Sequence, residues 1–455
     1  MTPPAPALSY RRIFSFWMPL ASTWLMMAVE GPYLAAIIAR LPEATVNLAA
    51  FGVAFAFAIL IESPVIMLMG ASTALVEDGA SYRALRRFAY GLSAGLTLIQ
   101  LVVLVPPVFD GLTRALLLPD DVARLTHGSL ALMLPWTAAI AYRRFRQGLL
   151  IRRDLTRRVA YGTAIRLVAM TLTALVGFVL ARSAVIPGAY VGALALSVAV
   201  IVEAGASRLM TRTIVPELRG RARAPERMAS IRLPAIIQFY VPLALTSLLA
   251  LSIQPLVTAF MGQARFALES LAVLPVIHGL TFVFRAIGLS YFEVGIALMG
   301  DRREHFPRIR NFAGVLAVAS TAGLATIAFT PLGGLWFRTI SGLTPELTTF
   351  ALGPTRILVI FPALAVVLHT ARAVLVHAHR TRSITWATAV ELTVVAAMLA
   401  FGIHRLDLIG AIAASVAMLT GRAIGTVWLI RPCLRVLRSA PATATHAAAA
   451  PAVAK

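Results

Sequence analysis

Lysine is nearly absent from these 455 residues; the only one is Lys455. Cysteine is as scarce, and Cys433, with no second cysteine to join, excludes an intrachain disulfide framework. Charged residues of either sign make up 13% of the chain, about half the ~25% of an average soluble domain. That shortage excludes a soluble globular protein, which needs polar groups to cover its surface. Hydrophobic residues, in contrast, reach 59%, and the mean hydropathy is +0.84. A disordered chain is excluded on that count. A polytopic membrane protein remains.

Crossing a bilayer takes ~20 mainly apolar residues. Twelve runs of that kind follow one another, at 13–38, 48–76, 85–109, 125–149, 159–181, 187–210, 234–262, 267–299, 308–331, 348–376, 382–403 and 406–432. The short alternating segments of a transmembrane barrel are missing. The sequence therefore predicts an all-α membrane protein of twelve transmembrane helices.

The formal net charge is +22, from 41 basic and 19 acidic residues. Nucleic acid is the first partner such a balance brings up. The basic residues are almost all Arg, however, and they fall in short clusters between apolar runs, which points to anionic lipid instead. With the N-terminus inside, the inner segments hold 29 of them, the outer loops seven and the spans five. This bias predicts a multi-pass inner (plasma) membrane protein with both termini cytoplasmic. The run after Arg11-Arg12 is too long for a cleavable signal peptide. The Ala/Pro-rich tail, 433–455, reads as disordered. Partners expected on these grounds are membrane lipids and a small-molecule substrate, with no nucleic acid, on a monomeric chain.

The most hydrophilic stretch, 211–233, divides the spans six and six, giving lobes at 13–210 and 234–432 behind a short N-terminal segment, 1–12. An offset of 223 residues overlays the two openings: Phe16-Trp-Met-Pro-Leu-Ala21 meets Phe239-Tyr-Val-Pro-Leu-Ala244, Pro32 meets Pro255, and Leu48-Ala49 meets Leu271-Ala272. Six is even, so the halves are parallel repeats about an axis along the membrane normal. Alternating-access transporters are built this way, with substrate held between two rocking bundles. A duplicated scaffold without transport is the plainer alternative.

Ionisable groups within spans are costly to insert, ~2.5–3.5 kcal/mol each at mid-bilayer, and so become functional candidates. The first half contributes Glu30, Glu62 and Glu203, with Arg166; the second contributes Arg285, Arg356, Arg372, Arg422, Glu293, Glu391, His278 and His369. Glu62 and Arg285 are repeat mates, which predicts a pair that closes and opens with the lobes, unless it is a permanent ion pair or two unrelated ones. Glu30 precedes Gly31-Pro32, where a weakened helix offers carbonyls beside an isolated carboxylate for H⁺ or Na⁺ coupling; a structural hydrogen bond is the alternative. His369 and Arg372 share a helix face, with Arg372 also placed to snorkel, and His278 also reads as a core histidine. Arg285, Arg422 and Arg356 suit an anion such as phosphate or carboxylate. The expected substrate-binding set is Arg285, Arg422, Arg356, Arg372, His369 and His278; the coupling or gating set is Glu30, Glu62 and Glu203.

No G-x-x-x-x-G-K-[ST], H-E-x-x-H or Cys/His metal cluster occurs in the sequence. No nucleophile–base constellation is visible either, so neither an enzyme nor a bound cofactor is expected. Asp120-Asp121 reads as a helix start.

The two half-openings, together with Leu408-Ile-Gly-Ala-Ile-Ala413, resemble the MATE-like multidrug/oligosaccharidyl-lipid/polysaccharide (MOP) exporter superfamily. Within it, Tyr240-Val-Pro-Leu-Ala-Leu245, Pro275-Val-Ile-His278, Thr355-Arg-Ile-Leu-Val-Ile-Phe-Pro362 and the Glu-containing first span through Val29-Glu30 are similar to the progressive ankylosis protein family. The resemblance implies a V-shaped fold of two six-helix bundles. It also implies export of anions such as pyrophosphate, nucleoside triphosphates or citrate, and it adds weight to Arg356. The long acidic tail of the animal members is replaced here by Ala/Pro sequence. A cation-coupled extruder of organic cations and a lipid-linked saccharide flippase are the alternative functions.

Overall fold

Prolines decide where these apolar helices run unbroken and where they step. The computed structural model describes residues 8–153, 155–220, 233–300, 302–378, 380 and 382–438. Its long helical units are α1 (Tyr10–Ile38), α2 (Ala44–Thr73), α3 (Gly79–Leu104), α4 (120–152), α5 (Thr156–Arg182), α6 (Gly188–Met210), α7 (233–261), α8 (Ala267–Leu298), α9 (Phe306–Phe329), α10 (Pro345–His377), α11 (Arg382–His404) and α12 (Gly410–Arg438). No strand occurs among the described residues. Ten of the twelve units are long and apolar enough to cross a membrane. The other two are α4, broken at Met133 ahead of Pro135 and arginine-rich beyond it, and α7, broken at Ser252 ahead of Pro255. A proline has no N–H to donate and its ring crowds the preceding turn. The same cause puts a 3-10 turn, Ser63–Met67, into α2 at Pro64, and another, Leu358–Ile360, into α10 at Pro362. The last helix runs on to Arg438, past the expected edge at 432. In the stretch between the halves, Ile214–Gly220 is helical; 221–232, most of the N-terminal segment and the Ala/Pro tail beyond 438 lie outside the described residues.

The 223-residue offset reappears in three dimensions. Glu43 and Phe266, mates at the starts of α2 and α8, both take a left-handed conformation, φ 51° and 52°. One turn on, the mates Asn47 and Ser270 cap the last helix of their own halves: Ala189 N–H donates to Asn47 Oδ1 at 2.7 Å, and Ala411 N–H donates to Ser270 Oγ at 3.0 Å. Gly188 and Gly410 sit beside these caps, where a Cβ would come 3.1 Å from Asn47 and 3.0 Å from Ser270. Glycine there lets a polar side chain reach the free N–H groups of a helix end.

The lobes meet through exchanged first helices. α1 lies along α8, and α7 lies against the 3-10 turn of α2. At the arginine-rich end the mates Trp17 and Tyr240 each donate a hydrogen bond to the other half. Trp17 Nε1 reaches Ser290 Oγ at 2.9 Å, and Ser290 in turn donates to Ile287 O; Tyr240 OH donates to Pro64 O, whose repeat mate is Ile287. The opposite end is closed by contacts to carbonyls at the mated positions Leu116 and Thr339. Arg40 donates to the carbonyls of Thr339 and Ile340, and Gly262 packs so tightly on Leu116 O that a Cβ would lie 2.2 Å from it.

Candidate functional site

Two buried groups of charge sit one in each half. In the first, Glu203 on α6 is the hub. Arg143 on α4 contacts Glu203 Oε2 through Nη1 at 2.5 Å, Gln147 Nε2 donates to Oε1 at 3.1 Å, and Arg166 on α5 approaches at 3.4 Å. Arg166 also pairs with Glu30 on α1. All of these side chains are buried or nearly so, with Glu203 at 1% exposure. Buried charges persist only when paired and hydrogen-bonded; here two carboxylates balance two guanidiniums, although Arg143 Nε, Arg166 Nε and Gln147 Oε1 are buried without hydrogen-bond partners. Glu62, at the end of the first stretch of α2, lies in the field of Arg143, Arg144 and Arg166, yet its Oε2 is buried without a hydrogen-bond partner. Its place at a helix C-terminus adds the unfavourable end of the dipole.

The second half differs in sign. Arg422 on α12 pairs with Glu391 on α11, Nε to Oε1 at 2.8 Å. The Phe361 ring, where α10 restarts after its 3-10 turn, lies 5.1 Å from the Arg422 guanidinium and 4.9 Å from that of Arg285 on α8. Two cations thus share one aromatic ring, a contact of ~0.5–2 kcal/mol each. Arg285 also lies over Phe282 at 5.8 Å, and its Nε is buried without a partner; no acid bonds to it among the described residues. Arg372 on α10 donates to Thr388 Oγ1 at 3.1 Å and lies in the field of Arg422 and Glu391. His369, buried one turn before it, is within the field of all three arginines and meets Phe292 edge-on at 6.2 Å. Three guanidiniums against the single carboxylate of Glu391 leave this cluster positive by two charges.

The structure keeps some expected residues together and separates others. Arg285, Arg372, Arg422 and His369 converge. His278 lies two turns before Arg285 on α8 and within its field, its Nε2 3.2 Å from Met418 Sδ. Arg356, exposed on α10, reaches across to the end of α9, where its Nε donates to Ala328 O at 3.1 Å and it covers the Phe329 ring. It satisfies a helix C-terminus rather than the cluster. Glu62 and Arg285 do not pair: each faces charges of its own half. Glu30 is not an isolated carboxylate, because Arg166 neutralises it. Glu293 is exposed near the end of α8.

Arg143, Arg144 and Gln147 escaped the sequence reading because the charge count assigned 143–158 to an inner loop. The spacing held a usable signal: Arg143 and Gln147 are four apart, hence on one helix face, and Gly148 beside them packs against Met69 O, where a Cβ would lie at 2.4 Å.

Between the halves, α2, α7 and α11 enclose an apolar cavity of 590 Å³, lined in part by Ala56, Pro255, Leu392 and Thr393. At the mated position on the other side, Pro32 fills the equivalent space against Gly279.

No family model and no curated protein sequence matches this chain. Solved structures do. An inward-facing multidrug resistance MATE family transporter of the MOP superfamily superposes with TM-score 0.65 at 15% identity, over 91% of this chain and 95% of that one. The lipid II flippase MurJ, in an inward closed conformation, gives 0.68 at 12%, over 93% and 89%. A MOP superfamily transporter from Pyrococcus furiosus, described as having a binding pocket of reverse polarity, gives 0.59 at 14%, over 94% and 96%. Read with the ten apolar helices and the internal repeat, these likenesses identify the chain as a multi-pass helical membrane protein with the fold of the MATE transporters and of MurJ.

Proposed function

We propose that this protein is a secondary transporter that exports a small polyvalent anion by alternating access, with pyrophosphate-, nucleotide- and citrate-like species as the substrate class. The observation that carries the reading is the net positive cluster of Arg285, Arg372 and Arg422 around Phe361, in which Arg285 has no anionic partner. A half-buried guanidinium that shares the single carboxylate of Glu391 with two other arginines, and bonds to no acid itself, is poorly placed unless an anion joins it. The resemblance to the progressive ankylosis family points to the same substrates. His369 completes the wall of this site, and Glu62, whose Oε2 is buried without a hydrogen-bond partner, is the residue assigned to H⁺ coupling. Glu30 and Glu203 then serve to hold Arg166 and Arg143 in place. The arginine bias sets both chain ends in the cytoplasm.

The test is transport in proteoliposomes loaded with labelled pyrophosphate, ATP or citrate, with an organic-cation dye in parallel. Anion release that disappears in Arg285→Ala supports the reading. Dye movement without anion release overturns it in favour of a multidrug extruder. A second reading, translocation of a lipid-linked anion, is favoured by the apolar cavity between the halves: α11 presents Glu391 to Arg422 and the adjacent Leu392 and Thr393 to that cavity. Head-group flipping in the same vesicles, without release of free anions, selects it.

A further inference from the structure

A second built feature lies on the lipid-facing side of the first half, remote from the Phe361 cluster. The rings of Tyr90 on α3 and Tyr142 on α4 stand almost parallel, 8° apart, with centroids separated by 6.5 Å. They flank a cavity of 200 Å³ whose walls are Ala89, Ala138, Ala141 and Phe145. The alanines are what open it, since larger side chains would fill the groove between two helices packed this closely.

Charge is concentrated at one mouth of the groove. Arg83, Arg86 and Arg87 occupy the two turns of α3 that precede Tyr90, and Arg146 follows Tyr142 by one turn. The Arg146 guanidinium lies 4.5 Å from the Tyr142 ring centre, donates to Thr211 Oγ1, and keeps a buried Nε with no hydrogen-bond partner. Arg86 lies 5.5 Å from the Tyr82 ring. Tyr90 itself is 47% exposed. Tyrosines one turn inside a row of arginines match the layering of a membrane interface, with hydroxyls at headgroup level and rings toward the chains.

The groove therefore combines a cationic mouth with an apolar interior. A soluble anion has no use for the interior, and four arginines disfavour the ammonium of a zwitterionic headgroup. Arginine forks suit phosphate, and basic pockets between helices are where anionic headgroups dock. We propose that the α3–α4 groove binds one anionic phospholipid from the leaflet on the arginine-rich side. Arg86 and Arg146 hold the phosphate, and the start of an acyl chain lies in the alanine-walled cavity beside the Tyr90 and Tyr142 rings.

The site needs only the membrane fold and is independent of the transported substrate. The full-length protein, purified in detergent, is titrated with phosphatidylglycerol or phosphatidylcholine and the bound lipid is counted by native mass spectrometry. One phosphatidylglycerol is expected to stay bound under conditions that strip phosphatidylcholine. Its occupancy is expected to fall at least threefold in Arg86→Gln and in Tyr90→Leu, but not in Arg431→Gln, an exposed charge removed elsewhere. Tyr90→Leu keeps the apolar volume at an exposed position, so an unchanged thermal midpoint certifies its fold. Equal retention of both lipids overturns the proposal. So does full occupancy in Arg86→Gln and Tyr90→Leu, or an equal loss in Arg431→Gln.

Discussion

At the scale of single residues, the same side chain does opposite work in the two halves. Arg143 and Arg166 are consumed by Glu203 and Glu30, whereas Arg285 is held by aromatic faces alone. Removing Glu203 by Glu203→Gln leaves two arginines buried around a neutral amide. Breaking a buried pair this way costs about 3–5 kcal/mol, so the thermal midpoint in detergent is expected to drop clearly. Glu391→Gln is expected to act in the other direction on function: with Arg422 released, anion affinity rises, measured as a lower half-saturating concentration in proteoliposomes. Arg285→Ala and Arg422→Ala each remove a charge-assisted contact of ~1.5–3 kcal/mol and should lower anion transport roughly tenfold or more. Arg356→Ala, at an exposed helix end, should leave transport within about twofold; an equal loss there would mean the site has been placed at the wrong end of α10.

At the scale of elements, glycine and proline set how closely helices approach. A Cβ at Gly288 would lie 2.8 Å from the Val366 backbone nitrogen, so α8 and α10 touch main chain to main chain. This contact brings Arg285, one turn before Gly288, to the Phe361 ring. Gly288→Ala must separate the two helices and is expected to lower both the thermal midpoint and anion transport. Gly91 on α3 has open space around it. There Gly91→Ala gains helix propensity, up to ~1 kcal/mol, and should be neutral or stabilising in the same assay. Pro64, Pro135, Pro255 and Pro362 each stand within an apolar run, as do Pro19, Pro32 and Pro275, so the sequence shows where a helix can break but not where it does. Pro32 stays inside an unbroken α1 and packs on Gly279, while its mate Pro255 lies in the first turn of the segment that restarts after Ser252 and faces a cavity.

At the scale of the whole molecule, the lobes are joined at both ends, by the mated Trp17 and Tyr240 contacts at one and by Arg40 and Gly262 at the other, so moving one lobe against the other must break contacts at one end or both. Arg40 is the polar part of the closure at the arginine-poor end. Leu343, buried beside it, becomes a reporter as Leu343→Cys, since the native Cys433 is buried. Its labelling by a thiol reagent is expected to rise several-fold when Arg40→Ala is added; no rise would show that the closure does not depend on this arginine. Reversing both Glu62 and Arg285 is expected not to restore the transport lost in either single reversal, because the two lie in separate charge groups. Rescue would show that they meet in another state of the cycle. What the sequence determined by itself was what one-dimensional patterns encode: membrane class from apolar runs, two parallel halves from the 223-residue offset, and the residues too polar for their surroundings. Only the tertiary structure decided which polar residues neutralise one another. Periodicity in runs this uniformly apolar does not fix a helix's rotation about its axis, and that rotation turned Arg143 inward to Glu203, Arg356 outward to Phe329, and Arg285 toward Phe361 instead of Glu62.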